Sequence, residues 1–152
     1  MHCIYPKPKT QELKTKIMNI LEKIVLHKKK EVAERKSRFP VSMLEKTNYF
    51  QAPVVSLKEF LTRPDKLGII AEFKRKSPSK PSINLSAEIE KVTKSYVKAG
   101  ASALSILTDQ DFFGGSLADL KEARKVNFCP ILRKDFITVS YTHLTLPTIY
   151  SV

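Results

Sequence analysis

Apolar residues recur at helical spacing from residue 11 to about 38, with Leu13, Ile17, Ile20, Leu21, Ile24 and Val25 on one side and Lys and Glu crowding the other. Such a face predicts an amphipathic helix resting on another layer. Pro40 ends it, Ser42 to Lys46 form a further turn, and Ser56 to Leu61 predict a short helix burying Leu57, Phe60 and Leu61 before Arg63-Pro64-Asp65 breaks the pattern. The apolar pattern then becomes that of strands. Leu67 to Phe73 reads as a first strand, and Ser86 is placed to cap a helix running to about Ala99, with Ile89, Val92, Tyr96 and Val97 inward and Gly100 as its stop. "ASALSILT" reads as a buried second strand. The loop "DQDFFGG" leads to a helix over Leu117 to Val126, and "CPILRKDF" gives a third strand that starts at a proline, where the missing donor is tolerated. Strand centres near Ile70, Ser105 and Leu132 lie about 30 residues apart, the repeat of parallel strands joined by helical crossovers. The fold class is α/β, a parallel sheet or part of a barrel with helices outside.

Charges gather where the strands stop. Side chains two apart on a strand share a face, so Glu72 and Lys74 project together while Ala71 and Phe73 project the other way. Ser77-Pro78-Ser79 ends that strand and leaves the pair at its carboxyl end, where parallel α/β proteins place their chemistry. On the third strand, Leu132, Lys134 and Phe136 share a face by the same alternation, which brings a second lysine to an equivalent position. A bland reading also fits: a Glu72/Lys74 ion pair in solvent, and Arg133, Lys134 and Asp135 as a solvated strand-exit cluster. Phe112 and Phe113 precede Gly114-Gly115, an arrangement suited either to the core or to lining a pocket.

Composition narrows the field. The 152 residues suffice for one core, and 42% apolar with 28% charged residues is ordinary for a globular protein. No apolar run reaches the roughly 18 residues of a membrane span, and the amino terminus lacks the apolar stretch of a signal peptide. Cys3 and Cys129 have neither metal-ligand spacing nor a disulfide framework, which fits a reducing cytoplasm. The net charge of +12 favours an anionic partner, nucleic acid or a phosphorylated or carboxylated small molecule. A nucleic-acid-binding module would use the basic helix around His27 to Lys30 and Arg35 to Arg38, but Glu22, Glu31 and Glu34 interrupt it and no nucleic-acid motif is present. A non-catalytic interaction fragment is the remaining alternative. His2, His27 and His143 have no partner constellation and read as surface or tail residues.

Four stretches together carry a family resemblance: "ILEKIVLHKKKEVAERK", "IIAEFKRKSPSK", "AGASALSILTDQDFFGGSLADL" and "PILRKDF". In order and spacing, residues 17 to 137 resemble indole-3-glycerol phosphate synthases, enzymes of tryptophan biosynthesis built on a (β/α)8 barrel behind an extra helical segment. The resemblance implies closure of an indole ring on a carboxyphenylamino-deoxyribulose phosphate, with loss of carbon dioxide and water and without metal or cofactor. It implies Lys134 as the general acid at the substrate carbonyl. Lys74 would hold the anionic substrate and assist the later dehydration, and Glu72 would organise both lysines and take part in proton transfer. Ser77, Phe113 and Phe136 match substrate-pocket positions, the two phenylalanines flanking the aromatic moiety.

Two features depart from that pattern. Pro81 stands where the family usually has Gly after the "SPSK" turn, which stiffens the substrate loop. The second departure concerns length, because a barrel of this kind takes about 250 residues. The expected organisation is a helical extension over 1–66, the first three strands of a TIM barrel over 67–137, and a non-native tail over 138–152. From Ile137 onward, "ITVSYTHLTLPTIYSV" contains no Asp, Glu, Lys or Arg. On this reading the chain names a function that it does not perform alone, because the later strands would carry the remaining substrate contacts and the phosphate-binding loops.

Overall fold

The computed structural model describes residues 19–47, 50 and 54–139. Among these residues are five helices, α1 Ile20–Arg38, α2 Val41–Leu44, α3 Leu57–Thr62, α4 Ile89–Lys98 and α5 Leu117–Val126, and three strands, β1 Ile70–Phe73, β2 Ala103–Leu107 and β3 Ile131–Lys134. The strands form one parallel sheet in the order β1-β2-β3, with Glu72 opposite Ser105 and Ser105 opposite Leu132. Each pair is joined through a helix, as parallel strands require.

β2 is buried along its whole length. Its Leu104 and Ile106 meet Phe73, Ile89, Leu120, Ala123 and Cys129 in the core, and Val92, Tyr96 and Val97 pack against that cluster as the helical stripe predicts. α5 has the expected bounds and Ser116 caps it, accepting a hydrogen bond from Asp119 N at 3.0 Å. Ser56 likewise caps α3, and Gly100 takes φ +96° just past α4.

Three expectations are corrected. β1 begins at Ile70 instead of Leu67, because Gly68 turns at φ +67° and its N–H donates to Ser102 Oγ at 2.9 Å rather than to a neighbouring strand. Ser86 does not cap α4; its hydroxyl donates to Asn84 Oδ1 at 3.1 Å and the helix starts at Ile89 after Glu88. On α1, capped by a reciprocal Asn19/Glu22 box, the inward residues are Ile24 and Lys28, whereas Ile20 and Leu21 are half exposed. Leu13 and Ile17 lie outside the described residues, as do Cys3, His2 and His143. Leu132 faces solvent with Lys134, while the opposite face of β3 buries Arg133.

Candidate active site at the strand ends

Glu72, on β1, sits between two cations: its Oε1 is 2.9 Å from Lys74 Nζ and its Oε2 is 3.0 Å from Lys134 Nζ. β1 and β3 are not neighbours, so two strand spacings, about 10 Å, separate their backbones. The middle strand makes the contact possible. It presents Ser105 at the level of Glu72, a side chain too small to block the gap, and Ser105 Oγ adds a long 3.4 Å hydrogen bond to Glu72 Oε2. Burial pushes the Glu72 carboxyl up, but hydrogen bonds from Lys74 and Lys134 and their charges outweigh it and hold the group below the usual carboxylate range. Lys134 remains 56% exposed, so this pairing adds little to stability and leaves its ammonium within reach of an incoming anion.

Two of the three pocket candidates also come together. The rings of Phe113 and Phe136 stand 5.8 Å apart at a 40° tilt, which joins an aromatic ring from the loop after β2 to one from the exit of β3. Ser77 is engaged elsewhere. Its N–H and C=O pair with Lys80 across a tight turn, and its Oγ accepts from Lys80 N at 3.1 Å and lies 3.2 Å from Ser79 Oγ. Pro81 follows that turn directly, and the loop closes on the Arg75 carbonyl, which accepts from Ile83 N and Asn84 N.

Arg75 escaped the sequence reading. Its guanidinium grips both Asp119 oxygens at 2.7 and 2.8 Å, donates to the Gly114 and Ala87 carbonyls, and lies over the Phe73 ring. It therefore ties the loop after β1 to the loop after β2. A bidentate fork of this kind is geometrically specific and among the stronger polar contacts.

The alternative of a solvated strand-exit cluster does not hold for Arg133 and Asp135. Their side chains are 2% and 4% exposed, and they belong to a buried network at the carboxyl ends of β2 and β3. Lys28 enters it from α1, 3.0 Å from Asp109 Oδ2, 2.9 Å from Asp135 Oδ1 and 2.7 Å from Glu31 Oε2. Arg133 and Thr108 complete the set around Asp135 Oδ2, each at 2.8 Å. Burial opposes the Lys28 charge, yet Glu31, Asp135 and Asp109 outweigh it and raise its pKa; burial likewise opposes the Asp135 charge, and Lys28, Arg133 and Thr108 outweigh it and lower the carboxyl's. The only sequence signal was an Asp soon after each of β2 and β3. His27 is a surface residue as expected but has partners, with Asp111 Oδ2 at 3.1 Å and the Phe112 ring edge-on.

The described residues thus form a parallel α/β sheet with a carboxylate and two ammonium groups at the strand ends, the end at which barrel proteins carry their chemistry. Comparison with known proteins is specific. The indole-3-glycerol phosphate synthase profile matches residues 21–143, so the chain belongs to that family, whose fold is a TIM barrel. It is 46% identical over 123 residues to the indole-3-glycerol phosphate synthase of Bacteroides thetaiotaomicron, covering 81% of this chain and 47% of that protein. The synthase of Bacillus cereus is 47% identical over 119 residues (78% and 43%), and that of Beutenbergia cavernae 38% over 124 residues (82% and 46%). The chain thus spans about half the length of the curated relatives it matches. No described helix is long and apolar enough to cross a membrane.

Proposed function

We propose that the full-length protein containing these residues is an indole-3-glycerol phosphate synthase, closing the indole ring of 1-(2-carboxyphenylamino)-1-deoxyribulose 5-phosphate with loss of carbon dioxide and water. The observation that supports this reading best is Glu72 bridging Lys74 and Lys134 across a gap held open by Ser105. Lys134 donates a proton to the substrate carbonyl oxygen as the aromatic carbon attacks. Glu72 fixes the direction of that ammonium and takes part in proton transfer, and Lys74 holds the substrate's negative charge and assists dehydration. Phe113 and Phe136 flank the aromatic ring, and the family resemblance assigns Ser77 to the substrate pocket. The chemistry needs no metal or organic cofactor.

The nucleic-acid reading lacks support, since Lys28 and Arg35 of the basic helix are committed to Glu31 and, for Lys28, to the buried strand-end network. We also propose a cytoplasmic setting, consistent with the buried free thiol of Cys129, and no turnover by the 152 residues alone. The test is a pair of substitutions in the full-length protein. Lys134→Ala is expected to abolish turnover while substrate still binds, and Lys74→Ala to weaken binding and rate together. A Lys134→Ala enzyme altered only in KM would show that this lysine is not the proton donor.

A further inference from the structure

We propose that Lys28 is a positioning residue for ring closure: clamped between Asp109 and Asp135, it locks together the two strand exits that present Phe113, Lys134 and Phe136. The inference deepens the functional reading above and rests on it. Lys28 belongs to the leading helix, far in sequence from every residue given a chemical role, and its side chain is 4% exposed while those of Asp109 and Asp135 are 0% and 4%. A helix docks adequately through apolar contacts alone, and buried ion pairs commonly stabilise no better than hydrophobic replacements. What charges add is direction.

Both aspartates are spliced into the site's backbone. Asp135 lies between Lys134 and Phe136; its Oδ1 takes Lys28 at 2.9 Å and Phe136 N at 2.9 Å, and Thr108, whose N–H holds the Lys134 carbonyl at 3.0 Å, donates its hydroxyl to Oδ2. Asp109 opens the other loop. Its Oδ1 accepts from Phe112 N at 2.7 Å, its carbonyl accepts from Gly115 N at 2.8 Å, and its Oδ2 makes no well-directed hydrogen bond and faces Lys28 at 3.0 Å. One ammonium therefore joins the loop bearing Phe113 to the exit bearing Lys134 and Phe136. Without it, Asp109 loses its cation and shares a buried site with the like charge of Asp135; Thr108 still holds the strand backbones together, so the loop that starts at Asp109 and the Asp135 side chain shift instead. A displacement of about 1 Å at a reacting group is enough to cost about 100-fold in rate.

The experiment compares Lys28→Met, Lys28→Arg and Ile24→Ala in the full-length protein. Ile24 is buried one turn earlier on the same helix, so its truncation loosens packing without touching the aspartates. Expected are a 10- to 100-fold fall in kcat for Lys28→Met, recovery to within about threefold for Lys28→Arg, and near-normal kcat for Ile24→Ala well below its melting temperature. Amide hydrogen exchange is read in parallel. It should quicken at Phe112, Gly115 and Phe136 in Lys28→Met and stay unchanged there in Ile24→Ala. Normal kcat and normal exchange in Lys28→Met overturn the proposal, as does an equal kcat loss in Ile24→Ala. Should Lys28→Met not fold, Lys28→Gln is held to the same criteria, and failure of both to fold reduces Lys28 to a structural support. A wild-type protein without synthase activity defeats the functional reading instead, and the exchange pattern then decides the clamp on its own.

Discussion

Alanine at Gly115 should destabilise the protein more than alanine at Gly114, because the two positions leave different room for a Cβ. Gly114 takes φ +66°, where an added Cβ would meet only side-chain atoms, Lys76 Cγ at 3.3 Å and Arg75 Cβ and Lys76 Cε at 3.4 Å. Gly115 has ordinary φ, but a Cβ there would lie 1.9 Å from the Leu107 carbonyl oxygen and 2.6 Å from its carbon, in the backbone of the buried central strand. Ordinary carbon-to-oxygen contact is about 3.3 Å, so the loop must retreat by roughly 1.4 Å. That retreat breaks the Gly115 N to Asp109 O hydrogen bond. Overpacking costs about 1–3 kcal/mol and the lost bond about 1, offset by about 0.5 from a stiffer unfolded chain, which leaves about 1.5–3.5 kcal/mol for Gly115→Ala. For Gly114→Ala the left-handed penalty of about 1–2 kcal/mol, less the same offset, leaves about 1. In a barrel of full length, roughly 2–4 °C per kcal/mol places the melting temperature of Gly115→Ala about 3–14 °C below wild type and that of Gly114→Ala about 2–4 °C below. Thermal unfolding followed by circular dichroism measures both. Greater tolerance of alanine at 115 than at 114 would refute the packing of this loop against Leu107.

Two further outcomes are expected. The lowered carboxyl pKa of Asp135 means that the unfolded chain binds more protons as pH falls, so its contribution is present above about pH 4 and is lost as pH drops through the folded value; acid unfolding should be less steep in Asp135→Asn than in wild type, and equal slopes would contradict the network. We propose that 138–152 is not native barrel sequence, although the family match runs to residue 143; removing it from the 152-residue chain should leave helix content and solubility unchanged or improved, and marked loss of either would show it to be structural.

Local signals were legible and distant pairings were not. α5 could be read to the residue because a capping serine, an amphipathic stripe and the turn to the next strand agree in one short stretch. Alternation put Glu72 and Lys74 on one face, and the repeat of the strands put Lys134 within reach of them. Lys28 was assigned to a polar face because nothing local marks it; only the fold supplies Asp109 and Asp135, which replace water around its ammonium. Arg75 was hidden for the same reason, its Asp119 partner lying on the far side of another strand and loop. The misjudged start of β1 has a local cause, since Gly68 breaks a run that is otherwise apolar enough for a strand.

Ring closure by the Glu72, Lys74 and Lys134 cluster is the step we propose for the full-length protein. The most direct measurement incubates that protein with 1-(2-carboxyphenylamino)-1-deoxyribulose 5-phosphate and follows carbon dioxide release and indole fluorescence together. Equal yields of the two are expected with wild type and neither with Lys134→Ala. No indole from the wild-type protein at saturating substrate, or undiminished indole from Lys134→Ala, would contradict the proposal.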